Sequence, residues 1–541
     1  MINKEKYKVL KTYFGYDSFR EGQEELIDTL LDGRDVFGIM PTGAGKSICY
    51  QIPALMFSGI TLVISPLISL MKDQVAALNQ VGVYAAYLNS SLTTGQYFKA
   101  LEFAKRGKYK IIYVAPERLL TESFLSFALN ADISFVSVDE VHCVSQWGQD
   151  FRPSYLKIVE FVDMLPKRPV VGAFTATATK EVRDDVMRIL KLKSPKLITT
   201  GFDRKNLSFY VTNTKDKKSE LAKILRKHYD ESGIIYCITR KLVEEVYEEL
   251  SSKGIEVSKY HAGLSDEERR QNQDDFIYDK TRIMVATNAF GMGIDKPDVR
   301  YVIHYNMPKN MESYYQEAGR AGRDGEDASC YLLYSPMDVR TNRFFIENNR
   351  ENEELSEAEL EAVIEKDQER LKQMTFYCHT KYCYRRYMLN YFGEKAELHC
   401  GNCGNCIKEK SRVSYGDNTY NAKNAYEYSD MPDVRVPVLP RVSGERRAYS
   451  DNPELYDKLR LLRNSLAKKL KVPAYVIFTD KTLKEMSMYL PVNKQEMLQI
   501  SGVGETKYEK FGAEFEKEIS DYKKVHGENK SIPQAKAKIT F

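Results

Sequence analysis

Met40-Pro41-Thr42-Gly43-Ala44-Gly45-Lys46-Ser47 is the stretch that decides the fold of this chain. It follows the apolar run Val36-Phe37-Gly38-Ile39 and leads into residues of helical character. A strand, a small-residue loop and a helix build a cradle in which backbone N–H groups and the helix N-terminus bind phosphate. The residues expected to bind a nucleotide are Thr42, Gly43, Gly45, Lys46 and Ser47, with the lysine at the outer phosphates and the serine hydroxyl on Mg²⁺. The motif alone does not choose among kinases, GTPases and motors.

The chain has 541 residues, of which 43% are hydrophobic, and a formal net charge of +4. This length is typical of about three or four domains with packed cores. The small net charge means that any nucleic-acid surface must be local. The longest apolar stretch, residues 59–71, is broken by Ser65 and Pro66, so no membrane span is expected. With no apolar signal core at the start and nine cysteines, the sequence favours a reducing, cytoplasmic location.

Short apolar runs alternate with amphipathic stretches up to about residue 340. Runs of this kind indicate buried strands of parallel sheets, and their alternation with helices predicts an α/β fold. One series covers residues 61–64, 111–114, 135–138 and 170–174, and a second covers 234–237, 283–286, 301–304 and 331–333. The sequence therefore predicts two tandem parallel-sheet domains, joined near Phe202-Asp203-Arg204, with their chemistry at the carboxyl ends of the strands.

The rest of the chain predicts a charged helical region, a linker, an all-α domain and a basic tail. The linker is rich in Asn, Asp, Ser and Tyr and lacks periodicity. An amphipathic helix opens the all-α domain, with leucines at positions 455, 459, 462, 466 and 470. The predicted boundaries are 1–205, 206–340, 341–407 (helical, with clustered cysteines), 408–451 (linker), 452–525 (all-α) and 526–541 (tail).

Two carboxylates, Asp139 and Glu140, stand directly after the apolar strand that ends at Val138. An ATPase needs one carboxylate to hold Mg²⁺ and a second to orient or deprotonate the attacking water. We assign Asp139 to the metal and Glu140 to the water, because they follow a phosphate loop by the spacing of several strands. Without that loop the pair would be an ordinary solvated strand end.

Two arginines, Arg320 and Arg323, lie in the second α/β half. Guanidinium groups match phosphate geometry and stabilise charge on a transferring phosphoryl group. The small residues between them permit close approach of the first half, whereas a plain surface helix would not require them. We expect an ATP site that is completed only when both halves meet, with either arginine reaching the γ-phosphate.

Four cysteines, Cys383, Cys400, Cys403 and Cys406, have the spacing of a metal site. Four thiolates suit tetrahedral Zn²⁺, and two adjacent C-x₂-C steps place the sulfurs on tight turns. With no open coordination position, the zinc is expected to be structural. His379 and His399 remain alternative ligands.

The ordered motifs resemble the RecQ branch of superfamily 2 helicases over about residues 7–406. Phe14-Gly15-Tyr16 with Phe19, Arg20 and Gln23 is similar to the RecQ adenine-recognition element. The resemblance implies that Tyr16 stacks on the base while Arg20 and Gln23 contact the nucleotide. The further motifs are residues 65–74 (Ia), 115–118 (Ib), 139–142 (II, Asp-Glu-Val-His), 175–179 (III), 260–264 (IVa), 286–295 (V) and 316–323 (VI). Within them, the residues implied to contact DNA are Ser65, Arg118, His261 and Thr287.

A segment similar to the RecQ aromatic-rich loop runs from residue 143 to 155, directly after the two carboxylates. Aromatic rings stack on unpaired bases of any sequence, so Trp147, Phe151 and Tyr155 are expected to bind single-stranded DNA, with Arg152 on the backbone or nucleotide. The family pattern often has His where Gln149 stands, which puts the finer coupling to ATP in question. In another context Trp147 would be a core residue.

What the resemblance implies is ATP-dependent 3′-to-5′ unwinding of DNA in recombination and repair, with ATP, Mg²⁺ and Zn²⁺ as cofactors. Single-stranded and forked DNA are the expected partners, with a single-stranded-DNA-binding protein as a further one. A monomer, nucleoid-associated in a bacterium, is expected. The zinc region resembles the RecQ zinc subdomain, and residues 452–525 resemble an HRDC domain, an auxiliary DNA-binding module with its turn at residues 500–504.

Three alternatives stay open. Residues 408–451 are too short and irregular for the winged-helix domain of many RecQ relatives, which favours a translocase or annealing protein with little unwinding activity. An RNA helicase is a further alternative, against which the aromatic loop and the zinc cluster argue. A zinc-stabilised DNA-binding scaffold with a regulatory ATP site is the third, and the intact catalytic set argues against it.

We predict that single-stranded DNA changes the fluorescence of Trp147, because stacking on a base alters the surroundings of the indole. Trp147 is the only tryptophan, so the emission of the whole protein reports this position. An emission spectrum that stays constant up to saturating oligonucleotide contradicts direct stacking.

Overall fold

The computed structural model of the chain describes residues 2–41, 43–145, 148, 151–290, 296–348, 357–414, 452–470 and 472–526. Two parallel sheets form two consecutive lobes, followed by a helical region with the clustered cysteines and a C-terminal helical domain. The α/β fold with two tandem sheets is therefore confirmed. Among the helices in these ranges, none is long and apolar enough to cross a bilayer.

The first lobe is built on a seven-stranded, fully parallel sheet. Its strands are β1 (Val36–Ile39), β2 (Ile60–Ile64), β3 (Ala85–Leu88), β4 (Ile111–Val114), β5 (Ile133–Val138), β6 (Val170–Thr175) and β7 (Lys196–Thr199). They lie in the order β3-β4-β2-β5-β6-β1-β7. β1, β2, β4, β5 and β6 are almost entirely buried, because helices cover both faces of the sheet.

Two α-helices of this lobe precede β1, and the other six connect its strands. They are α1 (Ile2–Val9), α2 (Gln23–Leu31), α3 (Lys46–Met56), α4 (Ile68–Gln80), α5 (Thr94–Lys105), α6 (Glu122–Asn130), α7 (Lys157–Met164) and α8 (Lys180–Ile189). Short turns of other helix types cover Leu10–Phe14, Pro116–Arg118, Val141–Val144 and Pro153–Leu156. Thr93 and Thr179 begin α5 and α8, since each side chain accepts the backbone N–H three residues on.

The second lobe carries a six-stranded parallel sheet in the order β10-β11-β9-β12-β13-β8. Its strands are β8 (Leu207–Asn213), β9 (Gly233–Tyr236), β10 (Val257–Tyr260), β11 (Ile283–Ala286), β12 (Tyr301–His304) and β13 (Ala328–Tyr334). Its helices are α9 (Lys217–Lys227), α10 (Arg240–Ser252), α11 (Asp266–Ile277), α12 (Met311–Ala318) and α13 (Pro336–Asn348). As in the first lobe, the carboxyl ends of all strands meet at one edge of the sheet.

The cysteine region contains α14 (Glu357–His379), α15 (Tyr384–Tyr391) and α16 (Gly404–Ser414). α16 continues past residue 407, where the sequence predicts a linker to begin, because its amphipathic pattern does not end at the last cysteine. The remainder of that linker, residues 415–451, lies outside the described residues, as does the tail from residue 527.

The C-terminal domain is a bundle of α17 (Pro453–Leu470), α18 (Ala474–Ile477), α19 (Asp480–Tyr489), α20 (Lys494–Met497), α21 (Glu505–Lys507) and α22 (Ala513–His526). The leucine pattern predicts α17, and its positions 455, 459 and 466 are buried in the domain core. Leu462 packs against this core, whereas Leu470 at the helix end is 43% exposed.

This domain docks on both lobes. On the first lobe, the Lys11 ammonium donates to the Leu498 carbonyl at 2.8 Å, and the Gly502 N–H donates to the Gly15 carbonyl at 3.4 Å. On the second lobe, the Lys484 ammonium lies 2.5 Å from the Glu326 carboxylate. The 500–504 turn of the HRDC-like module therefore packs against the first lobe in this arrangement.

We predict that Lys484→Glu loosens this docking, because it places two carboxylates where an ion pair stands. A single half-buried pair contributes only about 0.2–1 kcal/mol, but the reversal adds repulsion to that loss. Hydrogen exchange of residues 498–504 should become faster, and adding Glu326→Lys should restore the protection. Lys481→Glu, on the exposed side of α19, is the matched control, and equal exchange in both single variants contradicts the prediction.

Candidate active site

The loop between β1 and α3 has the backbone geometry of a phosphate cradle. Gly43 and Gly45 have φ values of +84° and +82°, a region that favours glycine. A Cβ atom on Gly45 would lie 2.5 Å from the Gln23 amide nitrogen, so this position also has no room for a side chain. Lys46 is the first residue of α3, and its neighbouring N–H groups belong to the positive end of that helix. Thr42 lies outside the described residues.

The predicted adenine-recognition element is tied directly to this loop. The Arg20 guanidinium donates to the Gly43 carbonyl at 2.6 Å. The Gln23 amide donates to the carbonyls of Ala44 and Gly45 at 3.0 and 3.1 Å, and its oxygen accepts the Arg20 N–H at 2.8 Å. The sequence predicts that Arg20 and Gln23 contact the nucleotide. In this structure, both side chains bind the backbone of the phosphate loop. Tyr16 is 39% exposed, which leaves a ring face for stacking.

The two carboxylates follow β5 and face the same loop. The Lys46 ammonium lies 3.3 Å from a Glu140 carboxylate oxygen, and both side chains are largely buried. Glu140 has φ +46°, which is uncommon for a residue with a side chain. Its N–H donates to the Asp139 carboxylate at 3.0 Å, which locks the turn. Strained backbone of this kind is concentrated at functional sites.

The surroundings separate the proton affinities of the two acids. Burial raises the pKa of Asp139 to about 6, and the Glu140 charge adds to this rise while Lys46 opposes it. Burial acts in the same direction on Glu140, but Lys46 and His142 outweigh it and hold the pKa of Glu140 below its usual range. Glu140 is therefore ionised at neutral pH, as a group that orients or deprotonates water must be.

Ser47 and Asp139, the residues expected to hold Mg²⁺, both interact with the buried phenol of Tyr50. Burial raises the pKa of Tyr50 well above its usual value, the Asp139 charge adds to the rise, and a hydrogen bond with Ser47 opposes it. A hydroxyl and a buried carboxylate are the oxygen donors that Mg²⁺ prefers. The residues present therefore fit the ion.

Motif VI of the second lobe lies against the nucleotide site. Arg320 is 7% exposed, and the Glu140 carboxylate is among the charges that act on it. Arg323 is close to the phosphate loop, since a Cβ atom on Gly43 would lie 3.4 Å from its Cγ. Both arginines therefore reach the first lobe, and which of them contacts a γ-phosphate stays open.

A hydrogen-bonded path that the sequence did not reveal joins the carboxylates to the second lobe. His142 Nδ1 lies 3.4 Å from Glu140 and 2.9 Å from the Thr175 hydroxyl. That hydroxyl donates to the Thr177 carbonyl at 3.1 Å, and the Gln316 amide on α12 donates to the Thr177 hydroxyl at 3.4 Å. The sequence nevertheless contained a signal for this path, because all five of its residues fall within motifs II, III and VI. They are Glu140, His142, Thr175, Thr177 and Gln316.

The predicted DNA-binding residues of the first lobe lie along its carboxyl edge. Ser65 follows β2 and is buried, while the Arg118 guanidinium stands 5.1 Å from the centroid of the Tyr97 ring. The Arg152 guanidinium donates to the Pro66 carbonyl at 3.3 Å. Phe151 and Arg152 line a cavity of about 690 Å³. Trp147 lies outside the described residues.

Tyr155 differs from the prediction. Its ring is fully buried in the core, and its hydroxyl donates to the Asp139 carbonyl at 2.9 Å. The ring has no face to offer to a base in this arrangement, because the short helical turn Pro153–Leu156 directs it inward. Tyr155 therefore anchors the end of the loop on the catalytic turn.

The predicted DNA-binding residues of the second lobe follow adjacent strands, β10 and β11. His261 is 5% exposed, its Nε2 lies 2.8 Å from Glu244, and its Nδ1 accepts the Gly263 N–H at 3.1 Å. Both of its nitrogens therefore act within the lobe. Thr287 is also nearly buried, and its N–H donates to the Tyr260 carbonyl at 3.1 Å.

The four predicted zinc ligands come together. The sulfur atoms of Cys383, Cys400, Cys403 and Cys406 all lie within 4.8 Å of one another. The first and third are 3.9 Å apart, close to the separation of about 3.8 Å that Zn–S bonds of about 2.3 Å impose in a tetrahedron. The alternative ligands are engaged elsewhere, since His379 bonds the Tyr334 hydroxyl at 2.9 Å and His399 lies 3.1 Å from Glu409.

Known families and proteins match this architecture. The matched family descriptions are DEAD/DEAH box helicase (residues 20–185), helicase conserved C-terminal domain (216–325), RecQ zinc-binding (336–407) and HRDC domain (452–519). Among solved structures, Mycobacterium smegmatis helicase Lhr bound to ssDNA and AMP-PNP aligns with a TM-score of 0.52 at 20% identity. That alignment covers 64% of this chain and 49% of the other, and it supports the fold.

Two full-length relatives carry the assignment further. The ATP-dependent DNA helicase RecQ of Bacillus subtilis (strain 168) is 40% identical over 96% of this chain and 98% of its own length. The protein of the same name from Pasteurella multocida (strain Pm70) is 36% identical over 96% of this chain and 94% of its own length. With this similarity, the two parallel-sheet lobes and the four clustered cysteines, the chain belongs to the RecQ family of ATP-dependent DNA helicases.

Proposed function

We propose that this chain hydrolyses ATP between its two lobes to move 3′-to-5′ along single-stranded DNA and unwind forked duplexes, in recombination and repair. The observation that carries the proposal is the 3.3 Å contact between Lys46 and Glu140, with Arg320 and Arg323 of the second lobe against the same site. A lysine, an ionised acid and arginines from a second lobe are the groups that phosphoryl transfer to water requires.

Each group has a separate task in this proposal. Lys46 binds the outer phosphates, and Glu140 orients and deprotonates the attacking water. Ser47 and Asp139 hold Mg²⁺, which when bound neutralises charge on the phosphates. Arg320 and Arg323 stabilise the charge that develops on the transferred group, and they do so only when the lobes are closed. ATP hydrolysis and release therefore alternate with closure and opening of the cleft.

Binding of DNA reaches this site through the aromatic-rich loop. The loop is fixed near its end by the Tyr155 hydroxyl on the Asp139 carbonyl and by the Arg152 N–H on the Cys143 carbonyl at 2.9 Å. A strand stacked on Phe151 and Trp147 pulls on these two bonds. DNA therefore changes the turn that carries the catalytic carboxylates.

The proposal extends to the oligomeric state, the location and a protein partner. We propose that the protein acts as a monomer in the cytoplasm, associated with the nucleoid in a bacterium, and that a single-stranded-DNA-binding protein is a partner. Among the described residues, none of the nine cysteines forms a disulfide, which supports a reducing compartment. One chain supplies both lobes of the ATP site, which supports the proposal of a monomer.

We predict that the wild-type protein separates a forked duplex with a 3′ overhang when ATP is present, and that Lys46→Ala abolishes this activity. The substitution removes the cation that binds the outer phosphates, so DNA-stimulated ATP hydrolysis should fall by about 10²-fold or more. Strand displacement and phosphate release are measured together. Lys105→Ala, an exposed lysine of the first lobe, is the matched control.

The other outcomes of this assay are informative. ATP hydrolysis without strand displacement supports a translocase. Stimulation by RNA but not by DNA supports an RNA helicase, and preference for a 5′ overhang reverses the proposed direction. Hydrolysis that does not respond to any oligonucleotide contradicts the motor.

We predict that Cys403→Ala lowers the melting temperature by about 5–10 °C, because loss of a structural metal removes several kcal/mol from the folded state. Cys378→Ala removes a buried thiol of the same region without removing a ligand, and is the control. Zinc content and thermal melts are measured for both variants. A Cys403→Ala protein that melts like the control contradicts a structural zinc.

A further inference from the structure

The segment that joins the lobes carries an arginine whose side chain binds the backbone of motif VI. The Arg204 guanidinium donates to the carbonyls of Gly319, Ala321 and Gly322 at 3.1, 3.0 and 2.7 Å. These carbonyls flank Arg320 and immediately precede Arg323. The position of Arg204 therefore sets the backbone from which both motif VI arginines extend.

The same guanidinium lies against the phosphate loop of the first lobe. A Cβ atom on Gly43 would stand 3.1 Å from Arg204 Nη1. Arg20 approaches the same glycine through its carbonyl, and the charges of Arg20 and Arg323 both act on Arg204. Burial is the largest influence on the pKa of Arg204 and lowers it, but guanidinium groups stay protonated in proteins. Three cations thus converge where a triphosphate is expected.

The zinc region holds the joining segment in place. The buried Arg385 donates to the Asp203 carboxylate, to the Leu207 carbonyl and, at 2.8 Å, to the carbonyl of Arg204 itself. The Glu394 carboxylate accepts the Phe202 N–H. Arg385 follows the zinc ligand Cys383 by two residues on α15, so the metal site and the joining segment form one unit.

We propose that Arg204 is a positioning residue for ATP hydrolysis, and that the zinc region sets its place through Arg385. The proposal rests on the proposed ATP site between the lobes. Arg204 spans three carbonyls and a loop of the opposite lobe because its donors form a planar fork, which a lysine ammonium cannot reproduce. A shift of about 1 Å at the motif VI arginines is enough to cost about 10² in rate.

The test is Arg204→Lys in the full-length protein, with Lys205→Ala at the next, exposed position as the control. We expect kcat of DNA-stimulated ATP hydrolysis to fall by about 10²-fold, with KM for ATP changed by less than about 3-fold. Binding of ADP should be retained, while binding of ADP with aluminium fluoride, a mimic of the transferred phosphoryl group, should weaken. Thermal melts check the fold, and a lowered melting temperature with unchanged kcat overturns the proposal.

The link to the zinc region is tested by Arg385→Lys and by the double variant. If both arginines act through one path, their effects on kcat combine to much less than the product of the single effects. Effects that multiply overturn the link, and an unchanged kcat in Arg204→Lys overturns the whole inference. If Arg385→Lys does not fold, Asp203→Asn replaces it in the same comparison of kcat values, because it is a milder change to the same contact. An inactive wild type would instead refute the proposed function.

Discussion

Lys46 and Glu140 meet because β1 and β5 end at the same edge of one parallel sheet. The contact of 3.3 Å joins the start of α3 to a turn more than ninety residues later in the chain. A parallel sheet buried on both faces brings these two points together, since only then do the strand ends and helix starts converge on one edge. The glycine loop stands directly before Lys46, and the strained backbone of Glu140 carries the other partner of this ion pair.

The elements that the sequence predicted well are those with a short-range signal. Buried parallel strands appear as unbroken apolar runs, and Val36–Ile39 or Ile111–Val114 needs no tertiary information to be recognised. The cysteine cluster is equally local, because three of its four ligands lie within seven consecutive residues. The glycine loop adds a backbone requirement that only glycine satisfies easily, as the φ values of Gly43 and Gly45 show.

The contacts that could not be predicted from the sequence depend on long-range packing. Tyr155 was expected to stack on DNA, but an aromatic side chain suits a core or a base equally, and only the fold directs its ring inward. Arg204 gave no signal beyond its place in a joining segment, because its partners are backbone carbonyls more than one hundred residues away. The docking of the C-terminal turn on Gly15 is likewise a contact between backbones, so no pattern of side chains in the sequence predicts it.

The distribution of charge argues that closure of the lobes depends on the nucleotide. Arg20, Arg204 and Arg323 meet at Gly43, and Lys46 stands three residues on. Like charges in a partly buried cleft repel, by about 4 kcal/mol for two unit charges 4 Å apart at an effective dielectric constant of 20. A bound triphosphate would reverse the sign of this energy and compete with Glu140 for Lys46. An anion that bound the closed arrangement better than the open one would shift the lobes toward closure, and loss of that anion after hydrolysis would release them.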